Sequence, residues 1–384
     1  MYLADRTNRL GTETAFEVLA RARALEAQGR SVIHLEIGEP DFDTPRHIID
    51  AAHKALDDGW THYGPASGDM ELREAVLKEI LSTRGVEVGV DNIVVTPGAK
   101  PIMFFAILAC IEEEDEVIYP NPGFPIYESM INFIGAKAIP IMLREEMDFS
   151  FDVNELSDLI GDKTRMIILN SPQNPTGGVI PKEDLEAIAT LVADRDIIVL
   201  TDEVYSRMVY DGEHNSILSL DGMKEKTILI EGFSKTYAMT GWRLGYGVMP
   251  ENIADMVTKF MVNCNSCTAS FTQRAGIQAL NGSQEDSINM VEAFRKRREV
   301  IVNGLNEISG ISCKMPKGAF YVFPNIKETG MSSQEAEDKF LNEAGVAALK
   351  GTSFGANGEG YVRLSYANST ENIKEALNRI AGVL

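Results

Sequence analysis

Cysteine and histidine are scarce in this chain, positive charge is in deficit, and no hydrophobic run is long. Four cysteines in 384 residues, Cys110, Cys264, Cys267 and Cys313, are too few for a disulfide framework and suit a reducing compartment. Cys264 and Cys267 form a CxxC, but neither a second pair nor a histidine at ligand spacing accompanies them. No metal site is therefore expected, and the motif reads as small residues in a packed segment. No apolar run reaches the roughly 18 residues that a spanning helix needs, and the start MYLADRTNRL lacks the apolar core of a signal peptide. A cytoplasmic protein without membrane contact is the expectation. Lys and Arg number 36 against 57 Asp and Glu, a net charge of −21, which repels nucleic acid and anionic lipid alike. The basic run RKRR at 295–298 sits beside Glu292 and Glu299 and reads as the wet face of a long helix.

What is present describes a large folded core. At 44% hydrophobic residues the chain is long enough for one large domain and a smaller one. Short β-branched or aliphatic runs alternate with amphipathic stretches, the pattern of a mostly parallel sheet sandwiched by helices. The clearest unit runs from Arg165–Leu169 through a helix opened by Pro181, with Leu185, Ile188, Ala189 and Val192 on one face, to Ile197–Leu200. Ile93–Val95, Glu116–Tyr119 and Lys226–Ile230 add three further strands. Beyond residue 285 a long charged helix precedes GAFYVFPNI, GVAALKGTSFG and EGYVRLSYA, which read as short strands of a smaller α+β domain. The expected division is 1–47 as an arm that joins the small domain, 48–285 as the large domain and 286–384 as the small one.

Ligands of such sheets bind beyond the carboxyl ends of the strands, so the residues after each run carry the argument. They are TPGAK at 96–100, PNPGFPIY at 120–127, NSPQNPTG at 170–177, TDEVY at 201–205 and EGFSK at 231–235. A lysine amine, a carboxylate, a phenol and a glycine-opened helix are what a phosphorylated aldehyde needs, and pyridoxal phosphate is the candidate cofactor. Lys235 would form the imine, a role requiring a neutral amine. Asp202 would hold the pyridine nitrogen protonated, and Tyr205 and Asn174 would bond the ring oxygen. Amides of Gly98, Ala99 and Lys100 would face the phosphate at a helix start, with Arg243 as a further partner. Each residue alone has a bland reading: a solvated lysine, a cap carboxylate, a core aromatic at Phe124.

The motifs GEPDFDTP at 38–45, THYGPASG at 61–68, NSPQNPTGG at 170–178, DEVY at 202–205, SKTYAMTGWRLGY at 234–246, GAFY at 318–321 and VRLSYA at 362–367 span nearly the whole chain. With them the sequence resembles the pyridoxal-phosphate aminotransferases of fold type I, class I/II, in the bacterial aspartate-aminotransferase-like branch. The resemblance implies a seven-stranded-type sheet and makes Lys235 the imine-forming lysine and the base that shuttles the substrate proton. It makes Arg363 the clamp of the substrate α-carboxylate, aided by Asn174 and the Gly38 backbone. It implies a homodimer with shared sites, in which Tyr63 reaches the phosphate of the neighbouring subunit. Two positions depart from the pattern. The ring-stacking residue is Phe124 rather than tryptophan, and Gly232 stands where many relatives carry a phosphate-binding serine, leaving its backbone, Ser234 or Arg243 to compensate.

The implied activity is transamination between an L-amino acid and a 2-oxo acid. In some acidic-substrate relatives a lysine at the Lys100 position contacts a distal carboxylate. Glutamate/2-oxoglutarate is therefore the expected first pair, with aspartate, an aromatic or another small amino acid in the second. A β-elimination or C–S lyase on the same fold is the alternative, and a non-catalytic regulator a remoter one, since no DNA-binding module is expected ahead of GEPDFDTP. GTSFG at 351–355 matches the GxSxG nucleophile pattern, but no long strand precedes it and the five histidines offer no evident partner.

Overall fold

The computed structural model describes residues 2–384. Twelve strands occur in chain order: β1 Ile33–His34, β2 Ile93–Thr96, β3 Glu116–Asn121, β4 Lys137–Met142, β5 Thr164–Asn170, β6 Ile198–Asp202, β7 Thr227–Gly232, β8 Gly245–Val248, β9 Tyr321–Val322, β10 Val346–Ala347, β11 Leu349–Lys350 and β12 Val362–Ser365. Seven form one sheet in the order β2-β8-β7-β6-β5-β3-β4. Only β8 runs against its neighbours β2 and β7, so the remaining six strands point the same way. The five expected strands all lie in this sheet, and two members lacked a clear signal. β4 is an edge strand carrying Pro140, tolerated there because one side of its backbone needs no partner. β8 is Gly-Tyr-Gly-Val, poor in β-forming side chains.

Helices cover both faces because alternate residues of the strands are apolar on both sides. Ile167, Leu169 and Val199 pack in one core, and Met166, Ile168, Leu200 and Ile228 in another. The expected helix after β5 is Lys182–Val192, with Pro181 at its N-cap and Leu185, Ile188 and Val192 buried. The glycines of β8 are needed for contact: a Cβ on Gly245 would lie 2.5 Å from the Ala99 amide nitrogen, and one on Gly247 would lie 2.6 Å from Ile102. They let the helix Lys100–Cys110 sit directly on the sheet.

The long helix Glu285–Asn306 leads to the smaller strands, where β12 pairs with β11 and β9. β1 pairs in parallel with β10 in a separate two-stranded sheet, Ile33 opposite Val346. A third core around Phe294, Phe320 and Tyr366 includes Tyr205 and Met208 from beyond β6, so the two parts pack against each other. Two sequence readings are corrected here. The RKRR run is a wet face only in part: Lys296 is exposed between Glu292 and Glu299, but Arg298 is 5% exposed and bonded to Asp211 at 2.5 Å, while Arg297 pairs with Asp41 at 2.6 Å. The partner acids come from distant segments that helical periodicity cannot reveal. The CxxC is not a packed segment throughout, since Cys264 is exposed at the end of the helix Glu251–Cys264. Among the described residues no helix is long and apolar enough to cross a membrane, and no group of three or more metal-ligating side chains occurs.

Candidate active site

The carboxyl ends of the parallel strands open into a cavity of about 570 Å³, within the range of small-molecule sites. After β7 the chain turns into the one-turn helix Phe233–Thr236, which sends Lys235 into this cavity. Its Nζ donates to the Gly38 carbonyl at 2.5 Å. Burial lowers the Lys235 amine from its usual value near 10.5 to about 8; Arg363 and Lys100 add to the effect, and Glu39 and Glu13 oppose it. A neutral amine is thus accessible near physiological pH. The Gly38 carbonyl, an acceptor, takes the Lys235 amine, and only the Gly38 amide could serve a carboxylate.

Asp202 closes β6 on the adjacent strand end and shows the opposite shift. Burial raises its carboxyl to about 6, although Tyr127 Oη donates to Oδ2 at 2.6 Å and the Val204 amide lies 3.4 Å from Oδ1. A cationic N–H partner in the cavity would recover the cost of its charge. Tyr127 is a residue the sequence reading left in an aromatic stretch. It is fully buried at the start of the helix Ile126–Ile134, and its bond spans 75 residues of sequence.

Beneath the floor lies a polar cluster that the sequence did not suggest. Arg84 bonds both Glu203 at 3.0 Å and Glu231 at 2.7 Å, residues adjacent to Asp202 and Gly232. Burial alone would push the Glu203 carboxyl up, but Arg84 and then His214 outweigh it and hold it at about 2. The cluster ties the ends of β6 and β7 together, keeping Asp202 and the Lys235 turn in fixed relation.

Arg363 from β12 forms the opposite wall. Its Nη1 donates to Asn174 Oδ1 at 2.9 Å, its Nη2 to the Glu36 carbonyl, and its Nε is buried without a protein partner among the described residues. Tyr205 and Tyr321 share a hydrogen bond at 2.7 Å between their hydroxyls. Tyr321, within GAFY, is a further site residue not singled out from the sequence. Gly38 makes room for it, since a Cβ there would lie 2.1 Å from the Tyr321 hydroxyl oxygen.

The glycine-opened helix start is partly as expected. Ala99, Lys100, Gly232, Ser234 and Arg243 line the cavity, whereas Gly98 lies behind it. The Gly98 amide donates to the Thr96 carbonyl at 2.8 Å, so it does not face an anion as expected. The Ala99 and Lys100 amides have no backbone acceptor among the described residues. Gly98 has φ +88°, and a Cβ there would lie 2.2 Å from Arg243 Nη2, so its absence lets the guanidinium close over the loop. Gly232 leaves ordinary space, with Ala99 Cβ 3.4 Å from where its own Cβ would be.

Phe124 stands edge-on to Tyr127, centroids 5.5 Å apart, and Lys100 Nζ lies 5.3 Å from its ring centre. Tyr63 is 88% exposed and outside this cavity. Ser353 of the GxSxG match bonds Thr14 Oγ1 at 2.6 Å in a short turn, with no histidine as partner. An amine and a carboxyl both shifted toward neutrality, a helix start whose first amides lack a backbone acceptor, and a buried guanidinium therefore share one cavity.

The sequence profile described as Aminotransferase class I and II matches residues 30–380. An aspartate aminotransferase of Pyrococcus horikoshii is 44% identical, with 100% of this chain and 97% of that protein covered. An aromatic-amino-acid aminotransferase of Thermococcus litoralis is 41% identical, covering 100% and 98%. The solved structure of Thermus thermophilus aspartate aminotransferase with maleate superposes with a TM-score of 0.95 at 36% identity, covering 100% of both chains.

Proposed function

From the premise that this chain belongs to the class I and II aminotransferases, we propose how its cavity carries out amino-acid transamination and on which substrates. The activity itself is that of an aminotransferase; the cofactor, the residue roles and the substrate pair are the proposal. The residues fit pyridoxal phosphate. Ala99 and Lys100 amides with Arg243 would hold the phosphate, Asp202 the ring nitrogen, Asn174 and Tyr205 the ring oxygen, and Lys235 the aldehyde carbon. When bound, this cofactor supplies an aldehyde for the substrate amino group and a ring that draws electron density from Cα.

The chain's own residues do the rest. Lys235, once displaced by substrate, takes the proton from Cα and returns it across the cavity, a task suited to an amine lowered to about 8. Asp202 holds its partner nitrogen in the cationic form, and Tyr127 keeps the carboxylate aimed. Arg363 grips the α-carboxylate with its unspent N–H groups, held by Asn174 and the Glu36 carbonyl. Phe124 walls the ring, and Lys100 meets a distal carboxylate. Glutamate/2-oxoglutarate is one pair, and aspartate, an aromatic or another small amino acid belongs to the other. Exposed Tyr63 belongs to a shared site in a homodimer, and the four free cysteines accord with a cytoplasmic location.

The observation that carries this reading is the placement of Lys235 and Asp202 on adjacent strand ends in one cavity that Arg363 also lines, with burial lowering the amine and raising the carboxyl. Holoenzyme mixed with glutamate alone should release one 2-oxoglutarate per site and stop, resuming only when a 2-oxo acid is added. Continuous release of ammonia or pyruvate from amino acids without an acceptor would favour the lyase reading instead.

A further inference from the structure

The segment before the first long helix, Ala15–Glu26, crosses the mouth of the cavity. It is pinned at both ends, by the Gly11 amide to Ser129 Oγ at 2.8 Å and by Thr14 Oγ1 to Ser353 Oγ at 2.6 Å. Between the pins, Glu13 enters the cavity and forms an ion pair with Lys100. Its side chain is 21% exposed and that of Lys100 is 50% exposed. Of the other acids lining the cavity, Asp202 bonds Tyr127 and Glu39 accepts from Thr240 Oγ1. Glu13 is the one whose carboxylate is set on the cation reserved for a substrate.

We propose that Glu13 is a specificity-determining residue, an internal stand-in for the distal carboxylate of a dicarboxylic substrate. The proposal rests on the reading that Lys100 meets that carboxylate. A dicarboxylate must exchange with Glu13 on the same ammonium, so its gain at Lys100 is reduced by the pair it breaks. An amino acid with an uncharged side chain leaves the pair intact. It meets a wall of no net charge made by Glu13, Lys100 and the Phe124 ring. Glu13 thereby narrows the preference for acidic over aromatic substrates in a single cavity, and the pinned segment yields only when a distal carboxylate takes its place.

Calorimetric titration of holoenzyme with succinate and with 3-phenylpropionate, neither of which carries a reactive amino or keto group, tests this directly. Glu13→Gln should raise the ratio of succinate to 3-phenylpropionate affinity roughly fivefold, the upper range for a partly exposed pair. Glu13→Asp, with a shorter reach, should fall between. The ratio should not rise when Glu13→Gln is made in a Lys100→Met background. An unchanged or lowered ratio in Glu13→Gln, with Lys100→Met still weakening succinate, overturns the role of Glu13 alone. If Lys100→Met leaves succinate binding unaltered, the distal-carboxylate reading of Lys100 fails, and the proposal with it.

Discussion

Asp202→Asn should stabilise the cofactor-free protein while abolishing its use of the cofactor. The native carboxyl sits at about 6 against an ordinary 3.8, so folding holds its proton more tightly than the unfolded chain does. Between those values the native state carries more protons, and stability falls as pH rises. The penalty is absent below about pH 3.8 and complete above about pH 6. Two units at 1.36 kcal/mol each set a ceiling of about 3 kcal/mol, and water in the cavity screens part of it, leaving about 1–2 kcal/mol. Asparagine keeps an acceptor for Tyr127 and carries no charge to desolvate. Urea unfolding of cofactor-free wild type and Asp202→Asn, at equal protein concentration, should give similar midpoints near pH 3.5 and a higher midpoint for the variant at pH 7.5. With cofactor added the order should reverse, and kcat should fall by about 10² or more. Equal destabilisation of the variant at both pH values would mean that the carboxylate is satisfied without a cationic partner, and the argument for its role would collapse.

Tyr127→Phe removes a hydrogen bond that pulls Asp202 down. The acidic limb of the kcat/KM profile should therefore move to higher pH, by about half a unit or more; a profile unchanged in position and height would show Tyr127 to be packing alone. Gly98→Ala places a methyl against Arg243 in a left-handed backbone. Cofactor affinity should drop about tenfold or more by fluorescence titration. Arg363→Lys keeps the charge but not the fork or its bond to Asn174. KM should rise about 10²-fold for both amino donor and 2-oxo acceptor, with a smaller change in kcat.

Lys235, Asp202, Asn174, Phe124 and Lys100 are legible as neighbours in the sequence, each just after a strand, because a parallel sheet delivers successive loops to one edge. Their meeting in one cavity follows from that topology. What could not be read were roles created by pairs far apart in sequence. Tyr127 looks like any core aromatic until Asp202 is found at its hydroxyl. Arg298 looks solvated until Asp211 is found beside it. Glu13 precedes the first motif and gave no signal. Gly98 illustrates a finer limit: a glycine at a helix start suggests an open amide, yet its own loop consumes that N–H and the missing Cβ serves Arg243 instead. β8 escaped notice because packing against the helix Lys100–Cys110 demanded glycine at positions where strand propensity favours branched residues.

The bond from Arg363 to the Glu36 carbonyl joins residues 327 positions apart, and β1 reaches its partner β10 across a similar gap. On a ribosome, the large sheet can close as soon as β8 emerges, whereas the wall bearing Arg363 must wait for more than a hundred further residues. The early segment is made first and finds part of its seat with the sheet, Gly11 on Ser129 and Gly38 on Lys235, while Glu36 and β1 wait for Arg363 and β10. Cofactor can therefore meet a formed sheet edge before the Arg363 clamp exists, and the grip on the substrate α-carboxylate is the last part of the site to be completed.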